Sequence, residues 1–290
     1  AHRDALASIS EVTKPNELIG AIGDDLLARF KPVPLLDEYD VYEQLMTYWH
    51  DTMHDDVFLV MNEGWLEAAK PRKTIEDKER KLSEAPDLIV GSGRSAQNYK
   101  MDLIPPALIV ARYFAAEQAN VDNLSSAAEE ATRVVDEYVG EHGVEDGLLA
   151  EAMDDDKITK ALVAGRLRAA RKEGSDAEEV MALQEAIRLY DVEAAAKKAV
   201  KDAQAELDLA TLKKYGELTE ADVKSLVLDY KWHSAVAGGV NAEVEDLTLQ
   251  LVARIRQLGA RYQETVGALD AHIADISSRI EKHLAALGAI

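Results

Sequence analysis

Apolar residues recur at helical spacing along most of this chain. Val41, Tyr42, Leu45, Met46, Trp49 and Met53 follow one another at steps that place them on one face of a helix. Asp37 is its expected cap, and Asn16 the expected cap of an earlier helix over 17–30. Pro32 and Pro34 force an extended link between the two. Asp55-Asp56 is expected to end the second helix. The apolar run Val57–Val60 then reads as a short strand with a turn at Asn62-Glu63-Gly64, and Leu88-Ile89-Val90 as a second strand. Between them, 70–84 is densely charged and reads as solvated. Residues 91–100 read as a polar loop.

All seven prolines lie between Pro15 and Pro106, so the rest of the chain is free to form long helices. Val110, Phe114, Val121, Leu124, Ala128, Ala131, Val135 and Tyr138 keep coiled-coil spacing, with Glu117 the one polar member, until Gly140, Gly143 and Gly147 stop the helix. A second long helix is predicted over 177–214, carrying Val180, Leu183, Ile187, Tyr190 and Ala194 and then Val200, Ala203, Leu207 and Ala210. Thr219 to Asp222 resembles a capping box with Asp in place of Glu. Gly238-Gly239 reads as a break, followed by helices over 241–258 and 264–287. In the last, Val266, Leu269, Ile273, Ile276, Ile280, Leu284 and Leu287 form a seam. The fold class is therefore mainly α. A small mixed part with one or two short strands (1–106) precedes long antiparallel helices forming a bundle or coiled coil (107–290). A fully buried Leu or Ile contributes roughly 1.5–3 kcal/mol, so such a seam is expected to close on a helix of this chain or of a partner.

Composition narrows the function. The 290 residues carry 33 Lys and Arg against 54 Asp and Glu, a net charge of −21. That excludes a protein that grips nucleic acid or an anionic membrane unaided, since like charges would have to meet. The absence of cysteine excludes disulfides, zinc fingers, iron–sulfur clusters and cysteine nucleophiles. No window approaches a membrane span, and no signal core opens the chain, so a cytoplasmic location is expected. The chain starts at Ala1, within what reads as a helix (Leu6, Ile9), and reads as a piece of a longer polypeptide or as a processed terminus.

Candidate chemistry is sparse. Gly91-Ser92-Gly93-Arg94-Ser95-Ala96 follows a strand and fits a nucleotide-loop spacing, but no helix pattern succeeds it, and it reads as a loop. Ile104-Pro105-Pro106-Ala107 lacks the polar first and aromatic last residues of the tetrapeptide that amino-directed DNA methyltransferases use on a flipped base; it reads as a helix start. His50 and His54 resemble a zinc helix with Asp51 where Glu belongs, but no third ligand is evident. Asp154-Asp155-Asp156 reads as a solvated loop. The basic groups Arg166, Arg168, Arg171, Lys172 and Arg254, Arg256, Arg261 read as partners for neighbouring carboxylates rather than phosphate contacts. No catalytic, cofactor-binding or metal-ligating residue is assigned.

Several runs together carry a resemblance. Leu35–Met46 leads into Tyr48-Trp49 and then Asp55–Val60; Lys100–Ile109 leads into Tyr113–Gln118; Leu218–Val227 leads to Lys231-Trp232; Arg254-Ile255 and Arg261-Tyr262 precede the final helix. In this order they resemble the C-terminal part of the methylation (M) subunit of type I restriction–modification systems, over nearly the whole chain. The resemblance implies a parent that binds S-adenosylmethionine and methylates adenine N6 in DNA. It implies assembly of that parent on a DNA-specificity (S) subunit, with a restriction subunit in the full complex. It also implies that C-terminal helices pack on the S subunit's coiled-coil spacers, so that DNA is met only indirectly. The family's glycine loop and catalytic tetrapeptide have no match here, so no cofactor is expected in this piece. The expected docking residues are Leu269, Ile273, Ile276, Ile280 and Leu284, with a second seam at Phe114, Val121 and Leu124; an uncovered seam is also expected to favour self-association. The alternative is an unrelated cytoplasmic coiled-coil scaffold.

Overall fold

The computed structural model describes residues 2–74, 84–91, 93–155, 157–263 and 265–287. In chain order its elements are α1 (Arg3–Ala7), α2 (Pro15–Phe30), α3 (Glu38–Tyr48), a π-helical turn (Trp49–Met53), α4 (His54–Glu63), α5 (Trp65–Ala68), β1 (Arg72–Lys73), β2 (Leu88–Val90), β3 (Gln97–Lys100), α6 (Pro106–Tyr113), α7 (Ala115–His142), β4 (Met153–Asp154), β5 (Lys157–Ile158), α8 (Lys160–Glu173), α9 (Ala177–Tyr215), α10 (Glu220–Ser225), a second π-helical segment (Leu226–His233), α11 (Ser234–Arg261) and α12 (Val266–Ala286). The protein is mainly α, as its apolar spacing predicts.

Internal contacts divide it into two units. One comprises Ala1–Leu6, Thr13–Asp55 and Trp232–Ile290; the other comprises Ala7–Val12 and Asp56–Lys231. This differs from a division at 106. Residues on both sides of Pro105-Pro106 belong to the second unit. Ile104 and Ile109 are both fully buried, and the Tyr215 hydroxyl donates to the Ile104 carbonyl at 2.6 Å.

In the second unit α7 and α9 lie antiparallel. The Tyr138 hydroxyl donates to the Ala182 carbonyl at 3.2 Å, while nearer the start of α7 the Thr132 hydroxyl donates to Glu193 at 3.0 Å. Val121, Ala128 and Val135 of α7 are buried, as are Ala182, Ala186, Leu189 and Leu207 of α9. Thr159 caps α8, and Gly174 ends it in the left-handed conformation (φ 74°), which turns the chain back into α9. Leu149, Val163, Leu167, Leu183 and Ala186 then form one core cluster.

A three-stranded antiparallel sheet in the order β1-β3-β2 pairs Leu88 with Tyr99 and Val90 with Gln97. Leu88–Val90 is a strand as expected. Val57–Val60 is not: it lies within α4, where Val57 and Val60 are buried and Phe58 is exposed. A four-residue apolar run fits strand or helix equally, and the burial face set by Trp49 and Met53 decides it. Asp56 does not end the helix because it is buried and neutralised: Lys231 Nζ lies 2.6 and 2.8 Å from its carboxylate oxygens and 2.6 Å from the Leu103 carbonyl.

In the first unit Pro15 opens α2, so its cap position falls on Lys14 and not on Asn16. Asp37 caps α3 as expected, accepting from the Tyr39 amide at 2.8 Å. Gly23 of α2 faces the Tyr42 ring so closely that a Cβ there would lie 2.6 Å from it. Gly238-Gly239 is no break, since both residues sit inside α11. A Cβ on Gly239 would lie 2.9 Å from Gln44 Oε1, and Gln44 donates to Glu243 at 2.7 Å, so α3 and α11 approach closely at this glycine.

Candidate docking surface

α12 begins at Thr265, whose hydroxyl accepts from the Ala268 amide at 3.2 Å, and its 21 residues extend roughly 31 Å at the usual helical rise. None of its residues is buried. Its apolar positions form the seam read from the sequence. Leu269 is 44% exposed, Ile273 61%, Ile276 52%, Ile280 54% and Leu284 37%. In heptad terms Val266, Ile273 and Ile280 take one core position and Leu269 and Ile276 the other, a composition suited to knobs-into-holes packing.

The second expected seam sits elsewhere. Val121 is buried and Leu124 half-buried on α7, and Phe114 lines a groove of about 430 Å³ with Ala203, Leu207 and Ala210 of α9. Val121 is therefore unavailable for docking: α9 already covers this seam. Phe114 also interrupts it, standing between α6 and α7 with non-helical backbone (φ −132°, ψ 31°).

The other sequence candidates find local explanations. Gly91 and Gly93, both at positive φ, connect the antiparallel strands β2 and β3, whereas a nucleotide loop would open a helix; Ser92 lies outside the described residues. Pro105 takes the cap position and Pro106 the first turn of α6, the helix start expected there. His50 and His54 are exposed at the π-helical turn. His54 Nδ1 is 3.1 Å from Asp55, and its ring meets Trp49 edge-on. Asp154 ends β4, paired with Lys157, and Asp155 leaves the strand at φ 50°; Asp156 lies outside the described residues. Of the charged 70–84 stretch only 70–74 and 84 are described.

Arg166 is held by carboxylates. Its guanidinium reaches Glu179 at 2.6 Å, Glu151 at 2.8 Å and Glu173 at 3.1 Å, and the hydrogen bond it donates to Glu179 does most to keep it charged. Arg254, Arg256 and Arg261 differ: among the described residues no carboxylate forms an ion pair with them. Arg254 donates to Gln257 at 2.6 Å, and Arg261 lies against the Tyr262 ring.

Two features escaped the sequence reading. The Asp56–Lys231 pair joins residues 175 positions apart, and no local spacing in the chain signals it. α11 carries an apolar stripe of its own, with Leu251 48%, Ile255 59% and Tyr262 67% exposed; its helical spacing could have been found in the same way as that of α12.

Among the described residues no helix is long and apolar enough to cross a membrane. Comparison with family models, curated proteins and solved structures found no match.

Proposed function

We propose that this chain is the C-terminal assembly region of the methylation subunit of a cytoplasmic type I restriction–modification system, and that α12 docks it on a helical spacer of the DNA-specificity subunit. The observation that carries the reading is the uncovered seam of α12, five large aliphatic residues on one face of a helix with no buried residue. Isolated, such a seam leaves several kcal/mol of burial unrealised; a coiled-coil partner recovers it. The family resemblance supplies the partner. Its parent subunit takes a methyl group from S-adenosylmethionine to adenine N6, and this chain positions that chemistry without performing it. A net charge of −21 fits a part that approaches DNA only through another subunit.

The test is the double substitution Ile273→Asp and Ile280→Asp in the full chain, titrated with purified specificity subunit. Losing two buried isoleucines removes roughly 3–6 kcal/mol of burial, so affinity should fall at least about a hundredfold while the far-ultraviolet circular dichroism stays helical. Unchanged affinity rules out α12 as the docking helix. No binding by the unsubstituted chain favours an unrelated coiled-coil scaffold instead.

A further inference from the structure

α11 and α12 carry stripes that match each other. On α11, Val244, Leu247, Leu251, Ile255 and Leu258 fall on one helical face, and Tyr262 follows just past the end of the helix. Laid antiparallel about the connection 262–265, the two stripes coincide layer by layer. Tyr262 meets Val266, Leu258 meets Leu269, Ile255 meets Ile273 and Leu251 meets Ile276, and the match continues through Ile280 and Leu284 without slipping out of phase. Outward from the connection α11 steps by 4, 3, 4, 4 and 3 and α12 by 3, 4, 3, 4 and 4, so the paired positions stay within one residue of level in every layer. A connection this short is typical of antiparallel neighbouring helices, and it holds the two stripes at an effective concentration on the order of millimolar. The helical backbone is interrupted on both sides of this connection: Tyr262 has left the helix (φ −106°, ψ 16°) and Thr265 is extended (φ −74°, ψ 155°).

We propose that α12 is a strap that closes on α11 as an antiparallel helical hairpin. The structure holds it open, with the α12 stripe exposed and that of α11 exposed except at the half-buried Leu247. A partner helix that takes the α12 seam must then displace α11, so docking and closure compete for the same residues. The competition rests on the docking reading above; the closure itself does not.

The absence of cysteine makes the test direct. Leu251→Cys with Ile276→Cys introduces the only two thiols, in one predicted layer. Leu251→Cys with Ser278→Cys places the second thiol at the same height on the far side of α12. Each full-length variant is mildly oxidised when dilute, then resolved by non-reducing electrophoresis and intact mass. The expected result is an internal disulfide in the first pair, formed at least about ten times faster than in the second. The pair Ile255→Cys with Ile273→Cys repeats the test one layer away, and circular dichroism verifies that each variant is helical. Equal rates in matched and mismatched pairs, or no internal disulfide in either matched pair, overturns the closure. A disulfide between two molecules overturns it too, by assigning the cover to a second copy. No partner protein enters this experiment, so its failure is separate from a failure of the docking titration.

Discussion

Removing one charge from the Asp56–Lys231 pair tests how the second unit is held together. The Asp56 side chain is 5% exposed and that of Lys231 12%, and the ammonium contacts both carboxylate oxygens and the Leu103 carbonyl. These contacts tie α4, the segment leading into α6 and the end of the unit to one point. Asp56→Leu leaves a buried ammonium facing a single carbonyl, a change that typically costs about 3–5 kcal/mol. With a urea slope of about 1–3 kcal/mol/M, the unfolding midpoint should fall by roughly 1–5 M at unchanged slope. Removing both charges together, as Asp56→Leu with Lys231→Met, should cost less than half as much, because no uncompensated charge is then buried. The double-mutant coupling should exceed about 2 kcal/mol. A single-variant loss below about 1 kcal/mol, or simple additivity of the two changes, would show that the pair behaves like an exposed one and would refute the argument.

Three smaller tests address other close contacts. Gly238→Ala meets open space inside α11 and should stabilise by about 0.5–1 kcal/mol. Gly239→Ala places a methyl group 2.9 Å from Gln44 Oε1 and 3.2 Å from its Cβ, so its thermal midpoint should lie below that of Gly238→Ala; the reverse order contradicts the close approach of α3. Burial, with a lesser contribution from Asp87, pushes the Tyr215 hydroxyl above the ordinary tyrosine range. Its neutral form is the one the fold favours, so the stability it confers is present below about pH 10 and is lost as pH rises beyond that; Tyr215→Phe should flatten this alkaline loss in denaturation curves taken across that range. Thr211 is buried, and among the described residues its hydroxyl has no hydrogen-bond partner, so Thr211→Val should raise the melting temperature by an amount worth about 1 kcal/mol.

Local signals were read correctly where one residue decides the structure. Asp37 caps α3, the Thr219–Asp222 box opens α10, and α9 begins at the expected residue 177 and ends one residue past the expected 214. The errors fall where distant residues decide. Val57–Val60 is helical because it continues a face begun at Val41, and Asp56 is tolerated there only because Lys231, 175 positions away, neutralises it. Gln97–Lys100 becomes β3 by pairing with β1 and β2, although its polar sequence carries no strand pattern. The two glycines of α11 look like a break, but at Gly239 the missing side chain serves contact with α3. α8 carries a buried face at Val163 and Leu167 within the basic run around Arg166.

The two expected docking seams had the same period, so spacing could not separate them, yet their side chains differ in a way that bears on the outcome. The α7 seam includes Ala128 and Ala131, and the buried face of α9 includes Ala182 and Ala186. Small residues on both faces let two backbones approach closely, and they gain little by burial against anything more distant, so such a seam is suited to one neighbour at short range. The α12 seam is built from Leu and Ile at consecutive core positions. Those bulky knobs need holes of matching depth and gain more from being covered. Residue size at the core positions was thus the signal that period alone lacked: it separates the seam that α9 closes from the one left open for a strap or a partner to contest.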